Sequence, residues 1–117
     1  MSVATATEFE WREFRCEVVP ERETVRVRLV GELDLATADE VAAAVEETRG
    51  FGRLVVDLSE VTFLDSSGIR AILQAQQTAD RDGMAFAVVP GPRAVQRAFT
   101  LAGVADLLFP PDHGIGR

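Results

Sequence analysis

The chain contains no lysine; all twelve of its basic residues are arginine. That absence argues against aspartyl-phosphate chemistry, which needs an amine beside its acceptor. There is one histidine, His113, and one cysteine, Cys16. One of each is too few for a zinc site. His113 follows Pro110-Pro111 in a tail, so a serine nucleophile elsewhere has no evident base. A lone Cys16 forms no internal disulfide, fits a reducing cytosol and reads as a small buried apolar residue. No segment approaches the roughly 18 apolar residues of a membrane span. Met1 to Phe14 lacks an apolar stretch and carries acids, so no secretory leader is expected. A net charge of −7 argues against nucleic-acid partners, whose phosphates it would repel. There is no internal repeat and no low-complexity segment.

What is present is one domain's worth of sequence. At 117 residues, 47% hydrophobic and 26% charged, the chain can bury a core without staples. The expected division is a flexible lead-in over 1–12, a domain over 13–109 and a tail over 110–117. Phe14 to Val19 predicts a strand and Pro20 to Glu23 a turn. Val25, Val27 and Leu29 alternate with Arg26 and Arg28, the period of a half-buried strand that completes a hairpin. Gly31 to Ala36 reads as a loop. Thr37, with Glu40 three residues on, predicts a capping box. Val41, Ala42, Val45 and Thr48 then share a helix face, and Gly50 stops the helix.

Leu54 to Leu58 and Met84 to Val89 are nearly continuous apolar runs, which suit strands covered on both faces. Between them Ile69, Ile72, Leu73 and Gln76 follow helical spacing, over about Ser66 to Ala79. Gly91-Pro92 opens a last helix with Val95, Ala98, Phe99 and Ala102 on one face, and Gly103 closes it. Leu107 to Phe109 predicts a short strand or a packing tail. This order implies an α/β fold: one domain, a mixed four- to five-stranded sheet with an N-terminal antiparallel hairpin, and helices packed on it.

The densest chemistry is Asp65-Ser66-Ser67-Gly68, where a strand hands over to a helix. A helix start has unpartnered N–H groups and a partial positive charge, so it welcomes an anion. One cap needs one oxygen-bearing side chain, and three stand in a row. Asp65 or Ser66 caps; Ser67 then lies in the first turn, and Gly68 lets a partner or phosphate approach the backbone. A phosphoryl group on Ser67 would add about −1.5 to −2 charges at a place that favours them by about 0.3–1 kcal/mol. Its effect would fall on a docking partner, not on the fold.

Two segments carry a family resemblance: Val30-Gly31-Glu32-Leu33-Asp34-Leu35-Ala36-Thr37, and the stretch from Leu54 through Asp65-Ser66-Ser67-Gly68-Ile69. The chain resembles the anti-sigma factor antagonists of the STAS-domain family, over about residues 14–109. The resemblance implies a cytoplasmic partner-switching protein without catalytic activity, cofactor or metal. Its unphosphorylated form would bind an anti-sigma factor that is a serine kinase, freeing a sigma factor. That kinase would phosphorylate Ser67 and so release the complex, and a metal-dependent serine phosphatase would reverse the step. The implied docking surface is Asp34, Thr37, Asp65, Ser66, Gly68 and Arg70, with Arg70 standing where many relatives have a small residue. A monomer that touches neither membrane nor nucleic acid is expected.

Other readings exist. A STAS subunit of a stress-signalling complex or a lipid-transport accessory shares the fold and differs in partners. A receiver domain phosphorylated on Asp57 lacks its lysine. A hydrolase using Ser66 or Ser67 lacks the nucleophile-elbow pattern. Asp34 and Asp65 could hold magnesium, although isolated acids are usually solvated.

Overall fold

The computed structural model describes residues 14–110. The expected lead-in over 1–12, the tail beyond Pro110 and His113 lie outside these residues. The elements run β1 (Arg15–Glu21), β2 (Thr24–Leu33), α1 (Ala38–Glu46), β3 (Arg53–Leu64), α2 (Ser66–Arg81), β4 (Ala85–Val89), α3 (Arg93–Leu101) and α4 (Ala105–Leu108). The four strands form one sheet in the order β1-β2-β3-β4. β1 and β2 are antiparallel, and β2-β3 and β3-β4 are parallel. This is the expected α/β fold with an N-terminal hairpin.

The hairpin turn is tighter than Pro20 to Glu23. Pro20 and Glu21 stay in β1, and Arg22 takes a positive φ of 64° in the two-residue connection. Pro20 is tolerated because β1 is an edge strand and a missing N–H there need not break a ladder.

Val25, Val27, Leu29 and Leu33 of β2 are fully buried, as are Leu54, Val56, Leu58 and Val61 of β3. On β2 the inward spacing is two throughout. On β3 it widens to three after Leu58, because the pairing slips by one residue between Arg28 and Val30 and again between Gly31 and Glu32. Each slip is a bulge that inserts one residue on β3. Hence Leu58, Val61 and Leu64 all face the core. The strand extends six residues past the apolar run, through what the alternation rule reads as a connection.

The expected cover on both faces holds for Leu54 to Leu58 of β3, all buried, and is corrected for β4, where Ala85 is exposed and Phe86 to Val89 are half-exposed. Val19, Arg26, Val55 and Ala87 stand in one row across the second face, and Val19, Arg26 and Ala87 remain half-exposed. This face is shielded by its own long side chains. Arg26 reaches Asp57 at 3.2 Å, and Arg28 pairs with Glu17 at 2.6 Å and also with Glu60. Asp57 therefore lies mid-strand, not at a strand end. Burial pushes its carboxyl up, but hydrogen bonds from Ser59 and the Arg26 guanidinium outweigh this and hold it below its ordinary range.

The helices cover the other face. α1 buries Val41, Ala44 and Val45, and Thr48 just beyond it is buried too. Ala42, expected on that face, is exposed. α2 buries Ile69, Ala71, Ile72, Ala75 and Ala79. α3 sets Val95 and Phe99 on the sheet, while Ala102 is exposed. Leu107 to Phe109 belong to a short helical turn and its cap, not a strand. Phe109 meets Phe99 edge-to-face with ring centroids 5.2 Å apart.

Candidate functional site

Two chain crossings at one end of the sheet build the site. β2 ends at Leu33 and β3 at Leu64, paired with each other. The loop that leads to α1 and the turn that starts α2 therefore emerge side by side.

Asp65 is the cap of α2. It is extended (φ −114°, ψ −171°), and its Oδ1 accepts the Gly68 N–H at 3.0 Å. With that donor satisfied by Asp65, the serine hydroxyls are not needed to start the helix. Neither makes a side-chain hydrogen bond to the described residues. Ser66 is exposed and Ser67 half-exposed.

Gly68 has a different duty from the one expected. It is buried, and a Cβ there would lie 2.6 Å from the Leu33 carbonyl oxygen and 2.7 Å from Leu64 Cδ1. Its missing side chain lets α2 press against the end of β2. The space is taken by the chain itself and is not open to a visitor.

The capping box at Thr37 is also corrected. Thr37 occupies the cap position, but its side chain makes no cap hydrogen bond. Its ψ of −6° is already helical, whereas a capping side chain needs extended backbone to reach forward. The hydroxyl turns back instead. It accepts from the Asp34 N–H at 3.0 Å and donates to the Glu32 carbonyl at 2.9 Å. Asp34 Oδ1 accepts the Ala36 N–H at 3.0 Å, and the Asp34 carbonyl receives the N–H groups of Thr37 and Ala38. Asp34 and Thr37 thus lock the loop.

That locked loop holds Leu35 in water, 78% exposed. Leu35, Ala38 and Asp39 face Ser67, Arg70 and Ala71 across a shallow groove of about 200 Å³ between α1 and α2. Arg70 is exposed, one turn along α2 from Ser67. Asp34, Thr37, Asp65, Ser66, Ser67 and Arg70 thus lie at one end of the molecule, with Gly68 beneath them. Leu35 was missed by sequence reasoning. Its only signal is a large aliphatic side chain between Asp34 and Thr37, inside a turn-forming stretch.

Among the described residues no three His, Cys, Asp or Glu side chains come together to hold a metal, and no helix is long and apolar enough to cross a membrane. Cys16 lies half-buried on β1. Burial, with a smaller contribution from the Glu40 charge, pushes its thiol up to about 12.

Residues 16–110 match the family model described as Mlab, STAS domain. The chain is similar to the anti-sigma F factor antagonist of Paenibacillus polymyxa, 30% identical over 95 residues that cover 79% of this chain and 81% of that protein. Its fold is similar to the crystal structure of an anti-sigma factor antagonist from Mycobacterium paratuberculosis, with a TM-score of 0.70 and 25% identity over 88% of this chain and 91% of that one. The unphosphorylated anti-sigma factor antagonist SpoIIAA superposes with a TM-score of 0.65 over the same shares at 21% identity, a likeness of fold alone.

Proposed function

The chain belongs to the STAS-domain family, and from that premise we propose that it is an anti-sigma factor antagonist switched by phosphorylation of Ser67. It acts as a binding module in the cytoplasm, without catalysis of its own. The unmodified form docks on an anti-sigma factor that is a serine kinase and so frees a sigma factor. That kinase transfers a phosphoryl group from ATP to the Ser67 oxygen, ADP leaves, and the modified protein is released. A metal-dependent serine phosphatase returns it to the docking form.

One observation carries this reading: Asp65 alone caps α2, which leaves the half-exposed Ser67 hydroxyl without structural work. A phosphate there adds about −1.5 to −2 charges beside the positive end of a 16-residue helix. The fold tolerates that charge, and a partner that must bury it does not. A loss of about 3 kcal/mol weakens a complex roughly a hundredfold, enough for a switch. The names of the similar proteins, anti-sigma factor antagonists from two bacteria, support the same role.

Incubation with purified kinase-type anti-sigma factors and ATP, read by mass spectrometry, tests it. Phosphate on Ser67, with loss of the complex, is expected. Modification at another residue, or none with any partner, overturns it. A second reading is a STAS subunit of another assembly, such as a lipid-transport accessory, since the matching family is described by its STAS domain and not by a sigma-factor role. Stable binding to such an assembly, with Ser67 never modified, would select it.

A further inference from the structure

The groove beside Ser67 does not end at the turn. A second depression of about 250 Å³ continues it between the same two helices, and Ala42, Ala71 and Gln74 line both. The floor is small because alanines recur at 71 and 75 on α2, with Ala38 and Ala42 opposite. Small side chains let a third helix come close. The walls differ in charge. Asp39 and Glu46 stand on the α1 side, Arg70 and Arg81 on the α2 side. Among the described residues Asp39, Arg70 and Arg81 form no ion pair, whereas Glu46 pairs with Arg49 at 3.4 Å, both 59% exposed.

Resting on the reading above, we propose that this groove receives one amphipathic helix of the anti-sigma factor. Its aliphatic ridge would lie along Ala42 and Ala71, its basic flank facing Asp39 and Glu46 and its acidic flank facing Arg70 and Arg81. The length fits. Asp39 to Glu46 spans seven residues, ~10 Å of helix, and Arg70 to Arg81 eleven, ~16 Å, or three turns. The two walls are helices with satisfied backbones, so the groove offers side-chain contacts and no free edge for a strand. An acyl chain would leave both charged walls unanswered. Leu35, exposed at the mouth, extends the apolar floor by one anchor.

This seating explains how a phosphate on Ser67 would act. Ser67 and Arg70 are three residues apart on α2 and hence neighbours on its surface. The phosphate would engage Arg70 and set its own charge against the partner's acidic flank. Release would then follow from competition for one guanidinium as well as from bulk.

Calorimetric titration of the anti-sigma factor into parent, Ala42→Trp and Arg81→Glu chains tests the groove. Ala42 and Arg81 are exposed, and unchanged circular dichroism checks the fold. Each variant is expected to lose about tenfold or more in affinity, and an acid-to-arginine change on the partner helix should restore Arg81→Glu. If both variants bind within about twofold of parent while Ser67→Asp is released, the interface stops at the turn. The groove is then overturned although the switch stands. If no anti-sigma factor binds the parent, the switch fails, and a synthetic helical peptide decides the groove. It would carry about 18 residues, five turns, with a leucine ridge between an arginine flank and a glutamate flank. Amide shifts at Gln74 and Gln77 that vanish in Ala42→Trp support the groove, and no shifts at millimolar peptide overturn it.

Discussion

The backbone of Gly68 stands against the carbonyl of Leu33 so closely that a Cβ would lie 2.6 Å from the oxygen. The first turn of α2 is thereby clamped to the end of β2. Two effects of opposite sign meet at Gly68→Ala. In a helix, alanine is favoured over glycine by about 0.5–1 kcal/mol. Overpacking against backbone typically costs about 1–3 kcal/mol, and here the neighbour is a carbonyl that cannot swing away. The variant should therefore be less stable by about 1–2 kcal/mol, read as a lower urea midpoint. A midpoint above that of the parent would mean that the clamp is loose.

Asp57 and Arg26 hold the second sheet face together at 3.2 Å. Asp57→Asn keeps an oxygen for the Ser59 N–H, which now donates to Asp57 Oδ1 at 2.9 Å, but removes the charge. A loss of about 1–2 kcal/mol at neutral pH is expected. The folded carboxyl sits below its ordinary value, so its contribution is present above about pH 4 and fades as pH falls through the lower folded value. Urea unfolding at neutral and acid pH should show parent and variant converging below pH 4. Equal stability at neutral pH would show the pair to be idle.

Much of this architecture is legible in the residues, and the gaps have identifiable causes. Val25, Val27 and Leu29 alternate with arginines and mark β2 without ambiguity. The second half of β3 hides because its bulges turn the inward spacing from two to three, a period that a strand rule reads as irregular. The covering of Asp57 and Val55 is invisible because arginine stems, not a helix, supply it. Thr37 looks like a cap in sequence, yet the Asp34 turn captures its hydroxyl first. At the site, Asp65, Ser66 and Ser67 are readable from their chemistry alone. Leu35 and the alanine-floored groove are not, since they exist only once α1 and α2 are packed together.

Cys16 should be slow to alkylate in the folded protein. Its thiol is pushed up to about 12, and the thiolate is the nucleophile. At pH 8.5 the native protein should react with iodoacetamide far more slowly than the urea-unfolded chain. The same shift has a stability consequence. A folded value raised above the thiol's ordinary 9.0 leaves stability intact below that pH and erodes it as pH rises toward 12. Cys16→Ala should flatten this alkaline limb of a thermal melt. Equal alkylation rates for native and unfolded chains would contradict the burial.

Asp65 and Ser67 divide the labour of the turn, and substitution separates them. Asp65→Ala removes the cap to the Gly68 N–H and should lower stability by about 1 kcal/mol. Ser67→Ala removes a hydroxyl without a described partner and should change stability by less than about 0.5 kcal/mol. Ser67→Asp places a charge in the first turn of a helix, where the macrodipole favours it by about 0.3–1 kcal/mol, so the fold should be unharmed or slightly firmer. Binding should sort the other way: Ser67→Ala docks on the anti-sigma factor and resists release, whereas Ser67→Asp binds about a hundredfold more weakly. Thermal melts and titrations on the same three proteins decide it. A Ser67→Asp chain that melts far below the parent would tie weak binding to damage of the fold, and one that binds as tightly as the parent would remove charge from the mechanism.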